Sequence, residues 1–559
     1  MRRNLSDLTR TDFDVLIVGG GITGACLAHD AALRGLAVAL VEKGDFGGAT
    51  SAASSKLLHG GIRYLQTLQF HKVRESASER IRFQRIAPHL VRWVPFLIPT
   101  YRDFRKGRLL LGAGMALYDL ICAGHDRALP DGRRVPPRQV LEPDALAREL
   151  PALGSSPALT GGQVFHELHM NSSERMTLAF IRTAAREGAA VANYAAVEEF
   201  LVNGSRVQGA VVRDVLTGER LHVRARLTIN AAGPWIPALN RLLPVGRLPR
   251  PITHYSKGAH IVTRQVTPAL AVALPSSRRG ASIVNRGGRH IFVIPWRGHS
   301  LIGTSDSPFD QDLDAVTPGE EDVEGLLRDV AAALPGAELE RRDVRHAFAG
   351  LYPLTGTPQP NVYRGTGLYQ VVDHGRHDGV EGFVSVVGAK YTTARRLAAR
   401  AMQVVTRRLG RGTGPSRTGE VPLVGFVEDP DALAAALERT YRDRIAPGTA
   451  QYLVAHYGAD AETLLRSEPA TLAHLAPDRE SIEAEVTFAV REEMAVRLED
   501  VIFRRTGLGT IGHPGMACLQ RCAELMGAAL GWSRERLEQE VAQVDARFLV
   551  RPPEEPAAR

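Results

Sequence analysis

A cluster of glycines directly after a short apolar run constrains the fold of this 559-residue chain more than any other feature. Residues 13–18 (FDVLIV) predict a buried strand, residues 22–34 a helix, and residues 37–42 (AVALVE) a second strand. The glycines, residues 19–24 (GGGITG), lie where the first strand passes into the helix. A strand–helix–strand unit of this kind predicts a parallel sheet that is covered by helices.

The glycine cluster has the spacing of a turn that binds a dinucleotide. It fits the pattern GxGxxG, and its position between a strand and a helix makes the match specific. Gly19 permits the tight turn, Gly21 lets the backbone approach a pyrophosphate, and Gly24 lets the helix pack on the strand. The sequence therefore predicts a Rossmann-type nucleotide site at the start of the chain.

The groups around this turn refine the prediction. The N–H groups at the start of the helix, at Ile22 and Thr23, face the phosphates. Glu42 ends the second strand, where its carboxylate can accept hydrogen bonds from both ribose hydroxyls. A 2′-phosphate would be repelled there, which disfavours NADP. The pattern by itself leaves FAD and NAD open.

The composition is that of a soluble globular protein with more than one domain. Hydrophobic residues make up 44% and charged residues 23%, which excludes a coiled-coil rod, a collagen-like chain and a mostly disordered protein. The segment 408–420 (RLGRGTGPSRTGE) predicts a linker, and the pattern beyond it is helical. We expect a large domain over residues 12–420, a helical domain over 425–545 and a disordered tail over 551–559.

The C-terminal part of the chain is acidic and the rest is basic, and this difference indicates which kinds of binding partner to expect. Residues 421–559 contain 15 basic and 23 acidic residues, although the whole chain has a net charge of +8. A basic body suggests an anionic substrate or surface, but no nucleic-acid-binding motif is present and no nucleic-acid partner is predicted. Four cysteines form no disulfide framework, so we expect a reducing, cytoplasmic location. No metal site is predicted.

The run that begins at Glu42, EKGDFGGATSAASSKLLHGGIRYLQ, is similar to the segment after the ribose-binding acid in FAD-dependent glycerol-3-phosphate dehydrogenases. These enzymes belong to the D-amino-acid-oxidase-like flavoprotein superfamily. Further matches follow in the family's order and extend the resemblance from about residue 12 to residue 530: NAAGPW (230–235), KGAH (257–260), FVIPW (292–296), IGTSD (302–306), GAKYTTARRLA (388–398) and FRRT (503–506).

The resemblance implies an α/β fold (α+β overall), in which a Rossmann-type FAD-binding domain is interleaved with a mixed β substrate domain and followed by a C-terminal helical domain. It selects FAD as the cofactor. Hydroxyl-bearing residues after the ribose site suit the diphosphate, and glycines further on let the backbone lie close to a flat ring. The implied cofactor residues beyond the turn and Glu42 are Lys43, Thr50, Ser51, Ser54, Ser55, Lys56, His59, Gly60, Gly61, Val197, Gly233 and Thr392.

The reaction implied by the resemblance is the oxidation of sn-glycerol 3-phosphate to dihydroxyacetone phosphate, with a hydride passing from C2 to flavin N5. We expect His260 to be the base, because a neutral imidazole accepts a proton near pH 7; Lys390 could do so only if burial lowered its pKa. Arg63 completes the expected catalytic group. The implied substrate-binding residues are Arg63, Tyr64, His260, Tyr352, Arg364, Lys390 and Thr393.

The chain departs from the family pattern in two segments. Tyr352 stands in AGLYPL (349–354), where the family has an arginine that clamps the phosphate. A tyrosine carries no positive charge, so a neutral polyol, a hydroxy acid or an amine is the alternative substrate. The segment Asn171–Arg175 (NSSER) also replaces a more acidic family sequence, and we assign it no role.

The resemblance also implies that electrons pass to quinone at a membrane surface, while direct use of O₂ stays open. Residues 91–120 mix aromatic and aliphatic side chains with cationic ones, which suits an interfacial anchor as well as a helical hairpin packed on the core. No transmembrane helix is predicted. We therefore expect a cytoplasmic protein, and leave open both peripheral contact with the cytoplasmic face of the inner membrane and a homodimer.

Overall fold

The computed structural model describes residues 1–102, 107–154, 158–243, 252–275, 290–355, 369–388, 390–412, 414–467 and 469–548. Arg364 and the predicted tail 551–559 lie outside these residues, and at Arg63 only the backbone is described.

The described strands are distributed along the first 390 residues. They are β1 (Phe13–Val18), β2 (Val38–Val41), β3 (Leu57–Leu58), β4 (Val91–Tyr101), β5 (Gln139–Leu141), β6 (Leu159–Met170), β7 (Ala190–Ala192), β8 (Ala195–Asn203), β9 (Arg206–Asp214), β10 (Arg220–Asn230), β11 (His254–Arg264), β12 (Ala271–Pro275), β13 (His290–Trp296), β14 (His299–Gly303), β15 (Ser307–Phe309), β16 (Val344–Leu354), β17 (Gln370–Asp373) and β18 (Phe383–Val387).

The described α-helices continue beyond the last strand. They are α1 (Ile22–Leu33), α2 (Phe70–Ile86), α3 (Arg108–Cys122), α4 (Pro143–Glu149), α5 (Ser173–Arg186), α6 (Ile236–Asn240), α7 (Glu320–Ala333), α8 (His374–His377), α9 (Ala394–Arg408), α10 (Pro430–Tyr441), α11 (Thr449–Tyr457), α12 (Ala461–Leu465), α13 (Glu483–Glu493), α14 (Met516–Leu530) and α15 (Arg534–Asp545).

The first sheet contains the predicted strand–helix–strand unit. Its strand order is β17-β18-β10-β1-β2-β7, and β8 and β9 extend it from β10. β1 is parallel to both β2 and β10, with Val18 opposite Val41 and Asn230. The carboxyl ends of three neighbouring strands therefore lie at one edge, which is where a doubly wound sheet binds its ligand.

The second sheet is mixed and lies against that edge. Its order is β15-β11-β14-β13-β12-β4-β6-β3, with β16 paired to β11 and β5 to β6. β11 and β16 are antiparallel, and residues opposite one another include Ser256 and Tyr352, Gly258 and Gly350, and His260 and Phe348. Alternation along a strand places these three pairs on one face.

The structure confirms the expected fold class, with two sheets and a C-terminal helical domain. Helix α1 is buried along almost its whole length and packs on α5 and α9. Because it has no broad face towards solvent, most of its residues are small or apolar and the helix is not amphipathic. Helices α10–α15 form their own apolar clusters, for example around Leu453 and Leu519.

The segment 91–120 is not the helical hairpin that was one of its two predicted forms. Its first part is strand β4, which pairs with β6 over its full length and also with β12, so it is part of the sheet rather than an arm of a helical hairpin. Only α3 is helical. Among the described helices, none is both long enough and apolar enough to cross a membrane.

Candidate functional site

A cavity of about 1430 Å³ lies between the carboxyl edge of the first sheet and one face of the second. Its walls include Gly19 and Glu42 at one end, and His260, Tyr352 and Lys390 from the later part of the chain. Residues that the sequence predicts for cofactor and for substrate therefore share one chamber.

The glycine turn has the geometry that its sequence predicts. Gly19 has a φ of +111°, and a Cβ there would lie 2.7 Å from the Ala231 carbonyl oxygen. A Cβ on Gly24 would lie 1.8 Å from the Gly19 carbonyl oxygen, so only glycine lets α1 approach the turn. Gly21 has more room, because its Cβ would meet only Ser51 Oγ at 3.1 Å. Its side-chain space opens towards the cavity that Gly21, Ile22 and Thr23 line.

Glu42 lies beside the turn, as the sequence predicts. Its carboxylate accepts hydrogen bonds from the backbone N–H of Gly20 at 2.6 Å and of Gly44 at 2.9 Å. Burial raises the pKa of this carboxyl, and the two N–H donors oppose that rise. The carboxylate is thus held in the cavity wall with its orientation set by the backbone.

The loop after residue 48 connects the two ends of the cavity. Ser51 Oγ accepts a hydrogen bond from the Ile22 N–H at 2.9 Å, so a hydroxyl lies at the N-terminus of α1. Thr50 Oγ1 donates to the Leu351 carbonyl at 3.0 Å, which ties the loop to β16. Gly350 permits this approach, because a Cβ there would lie 2.6 Å from the Cβ of Ala53.

Lys56 and Gly60 do not belong to the described cavity wall. The Lys56 ammonium is buried and forms an ion pair with Glu174, with N–O distances of 2.8 and 2.9 Å. The Gly60 N–H donates to Glu167 Oε2 at 2.6 Å. Glu174 belongs to the segment 171–175 to which the sequence assigned no role, and its partner is this lysine.

His260 is a buried residue on the cavity face of β11. Its Nε2 atom lies 2.8 Å from Ser55 Oγ, and its ring stacks on Phe348 with a centroid distance of 5.1 Å. Ser54 and Ser55 both line the cavity, but the Ser54 hydroxyl accepts from the Lys56 N–H at 3.1 Å. The imidazole is therefore held by a hydroxyl and an aromatic face.

Lys390 and Tyr64 also line the cavity and contact each other. The Lys390 ammonium lies 3.9 Å from the centre of the Tyr64 ring, which is a cation–π contact. Thr392 also lines the cavity, and its Oγ1 accepts from the His59 N–H at 3.1 Å. Thr393 is buried at the N-cap of α9 and does not line the cavity.

The remaining predicted cofactor residues also line the cavity. Lys43 lines the wall, and its ammonium lies 4.2 Å from the centre of the Trp235 ring. The other predicted residues that line the cavity are His59, Gly61, Val197 and Gly233.

Three acidic residues of the cavity wall were missed by the sequence interpretation: Asp45, Glu167 and Asp306. Asp45 follows Glu42 by three residues and is buried. Glu167 on β6 is also buried; its Oε2 accepts from Gly60 and from Arg80, the latter at 3.1 Å. Asp45 and Asp306 lie in motifs within which the sequence assigned them no role, and each of the three acids is held by a partner that is distant in the sequence.

One compartment of the cavity is strongly apolar. It is bounded by β4, β6, β13 and helix α3, and its wall residues are Phe96, Ile98, Phe165, Phe292, Leu110, Leu111, Met115 and Leu117.

The described residues fit FAD. The glycine turn leaves space at Gly21 for a diphosphate at the N-terminus of α1, where the Ile22 N–H donates to Ser51 Oγ. Glu42, the residue predicted to bind the ribose, lines the same chamber as Gly61 and Thr392, which was predicted to contact the flavin.

Comparison with known proteins agrees with this assignment. A family model described as FAD dependent oxidoreductase matches residues 14–395, and one described as the C-terminal domain of alpha-glycerophosphate oxidase matches residues 416–537. The fold and the site thus define an FAD-dependent oxidoreductase, and its cofactor is FAD.

Three curated relatives that match nearly the whole chain are named glycerol-3-phosphate dehydrogenases. The chain is 32% identical over 551 residues to a glycerol-3-phosphate dehydrogenase of Synechocystis sp., covering 96% of this chain and 97% of that protein. It is 33% identical over 545 residues to that of Mycobacterium leprae, covering 96% and 88%. The mitochondrial protein of Bos taurus is 32% identical over 557 residues, covering 95% and 72%. The chain belongs to the FAD-dependent glycerol-3-phosphate dehydrogenase family.

A solved structure supports the fold. The glycerol-3-phosphate dehydrogenase from Bacillus halodurans, complexed with FAD, superposes with a TM-score of 0.74 at 24% identity, covering 97% of this chain and 96% of that one.

Proposed function

We propose that the protein oxidises sn-glycerol 3-phosphate to dihydroxyacetone phosphate and passes the electrons to quinone. The observation that carries this proposal is the meeting of His260 and Lys390 in the chamber that also contains the FAD turn. The relatives that match nearly the whole chain are named for this substrate. Bound FAD supplies the hydride acceptor; the residues below supply binding and proton transfer.

His260 is the proposed base. As the C2–H bond of the substrate breaks and its electron pair leaves as a hydride, the hydroxyl proton passes to the imidazole. The ring is suited to this because it is buried, stacks on Phe348 and contacts the Ser55 hydroxyl, so its orientation is set before substrate binds.

Lys390 is the proposed partner of the substrate's phosphate. Among the described side chains of the cavity wall, the lysine ammonium groups are those of Lys43 and Lys390, and Lys43 lies at the nucleotide end against Trp235. The Lys390 ammonium is fixed over Tyr64 and can contribute a charge-assisted hydrogen bond. Arg63 and Arg364 remain predicted partners of the same phosphate.

An alternative substrate is favoured by Tyr352. This residue lines the cavity on the same face of the sheet as His260, four residues along β16 from Phe348. A neutral phenol there suits a small polyol, hydroxy acid or amine that lacks a phosphate.

Quinone is the proposed acceptor because the cavity includes the apolar compartment under α3. The same helix also carries two exposed leucines that do not line the cavity: Leu109 is 90% and Leu120 73% exposed. An apolar compartment beside an exposed apolar helix face suits a lipophilic acceptor that is delivered from a membrane surface.

The decisive experiment follows flavin absorbance of the purified protein under anaerobic conditions. We expect glycerol 3-phosphate to bleach the flavin and glycerol to leave it oxidised. Bleaching by glycerol or a hydroxy acid, with none by the phosphate, would replace the proposal by the alternative.

A further inference from the structure

Asp45 is a buried carboxylate in the wall of the FAD cavity that is bound by the C-terminal helical domain. Arg504 Nε donates to its Oδ2 at 2.6 Å. Arg505 donates from Nη1 to Oδ2 at 2.7 Å and from Nη2 to Oδ1 at 2.9 Å. Both arginines belong to the π-helical turn Asp500–Arg505. Two neighbouring residues of one turn therefore converge on a single carboxylate.

The C-terminal domain also binds a second segment, residues 193–197, next to the nucleotide end of the cavity. The Asn193 amide donates to Asp45 Oδ1 and to the Met494 carbonyl, both at 2.9 Å. The Tyr194 hydroxyl donates to Asp500 at 2.6 Å. The next three residues, 195–197, line the cavity. The C-terminal domain thus holds both chain segments that flank the nucleotide.

The Asp45 segment is also continuous with the glycine turn. The Gly47 N–H donates to the Gly20 carbonyl at 3.0 Å, and the Gly20 N–H donates to Glu42 at 2.6 Å. A displacement of Asp45 is therefore passed to Glu42 and to the turn through short hydrogen bonds.

The charges in this cluster depend on one another. Burial disfavours the ionised form of Asp45, but Arg505 and Arg504 hold the pKa of its carboxyl below the ordinary value. Burial and the charge of Asp45 raise the pKa of Asp500. Removing one partner would leave a buried charge uncompensated, which is costly.

The domain has other anchors that do not reach the cavity. Arg182 on α5 pairs with Asp460 at 2.9 Å and with Glu493 at 3.2 Å, and Arg175 pairs with Glu493 at 2.6 Å. The Glu493 carbonyl also accepts from Arg505 at 2.9 Å, so of these pairs the one between Arg182 and Asp460 is separate from the Asp45 cluster.

We propose that Arg504 and Arg505 are positioning residues for FAD. Through Asp45 and the segment 193–197 they set the shape of the nucleotide end of the cavity. The C-terminal domain thereby controls how tightly the protein retains FAD. The proposal rests on FAD binding and is independent of the substrate.

The test measures FAD release from the diluted holoprotein, followed as the rise of free flavin fluorescence. Loss of a charge-assisted hydrogen bond weakens binding by roughly tenfold or more, so we expect at least that increase in release rate for D45N and for R505M. The double variant should accelerate FAD release by less than the product of the two single effects, because the changes share the Asp45–Arg505 contact although each also removes others. R505K should restore part of the retention. The kcat at saturating FAD should stay within about threefold of the parent, since the substrate end is unchanged.

D460N is the matched control for D45N, because Asp460 forms an ion pair with Arg182 across the same domain boundary at 2.9 Å and, among the described contacts, has none with Asp45, Arg504 or Arg505. We expect its FAD release to match the parent. Equal acceleration by D460N and D45N would show that general loosening of the domain is responsible and would overturn the proposal. Unchanged release in D45N would also overturn it, even if R505M fails to fold.

Discussion

The Nε2 atom of His260 lies 2.8 Å from the hydroxyl oxygen of Ser55, although 205 residues separate them in the chain. The contact joins the loop that leaves the nucleotide site to the face of the substrate sheet. It exists because Gly350 lets that loop approach β16, and it orients the proposed base towards the cavity.

Replacement of Ser55 tests this contact. We expect Ser55→Ala to lower kcat about fivefold, because one hydrogen bond that orients His260 is lost. Steady-state assays with glycerol 3-phosphate and a quinone analogue measure the change. Ser54→Ala is the matched control, since the Ser54 hydroxyl contacts the Lys56 backbone rather than His260. Equal activity of the two variants would contradict the role of Ser55.

Two glycines of the turn separate folding from cofactor binding. Gly24→Ala should give little soluble protein, because its Cβ would lie 1.8 Å from the Gly19 carbonyl oxygen. Gly21→Ala should fold, since its Cβ meets only Ser51 Oγ at 3.1 Å, but it should lose FAD because the methyl group occupies the diphosphate's approach. Soluble yield and the flavin-to-protein absorbance ratio measure both effects. Full flavin content in Gly21→Ala would refute the placement of the diphosphate.

Lys390 is expected to bind the substrate's phosphate. Lys390→Met should raise KM for glycerol 3-phosphate roughly tenfold or more, through loss of a charge-assisted hydrogen bond. Lys72→Met is the control: its ammonium also lies over the Tyr64 ring, at 5.3 Å, but Lys72 does not line the cavity. A similar rise in KM for both variants would indicate a long-range charge effect instead of a contact.

The exposed leucines of α3 are expected to bind a membrane surface. A double change, Leu109→Ser with Leu120→Ser, should reduce co-sedimentation with lipid vesicles several-fold, because two exposed apolar groups are lost. Leu216→Ser is the control, as Leu216 is 37% exposed in the turn between β9 and β10. Flavin reduction by substrate should be unchanged in all variants. Undiminished sedimentation of the double variant would remove α3 from the proposal.

Acid should weaken the contact between the substrate sheet and the C-terminal domain at His346. Its ring lies among Phe348, Phe503 and Phe548, and burial, followed by the charges of Arg547 and Lys56, lowers its pKa from 6.5 to about 4. The unfolded chain therefore binds a proton that the folded one does not, so stability is full above pH 6.5 and falls as the pH drops towards 4.

The size of this effect can be measured by urea unfolding at pH 7 and pH 5. Between pH 7 and pH 5 the free energy of unfolding of the parent should fall by about 2 kcal/mol more than that of His346→Leu. Below pH 6.5 the uptake of one proton on unfolding lowers this free energy by about 1.36 kcal/mol for each pH unit. The exposed His222 supplies the control variant, His222→Leu, which should follow the parent. An identical loss in His346→Leu would exclude this histidine as the cause.

Local patterns were sufficient to predict the core of the fold. The run at 13–18 is β1 with the predicted bounds, and the glycine turn has the positive φ and the close contacts that its spacing requires. The parallel sheet and the C-terminal helical domain are confirmed. Strand β4 was not recognised, because both faces of this strand are covered and its mixed sequence has no clear two-residue alternation.

The sequence by itself determined what depends on neighbouring residues: the turn at residues 19–24, its helix, the acid at Glu42 and, by family resemblance, FAD. The tertiary structure alone decided which charged groups face the cavity. Lys56 directly follows Ser55 in the same polar segment, yet its ammonium forms an ion pair with Glu174. Asp45 lies in the cavity wall, where it forms ion pairs with Arg504 and Arg505. The physical reason is that an ionised side chain can be buried at low cost only where an opposite charge contacts it. In this protein the packing of the domains brings that opposite charge from a part of the chain that is distant in sequence.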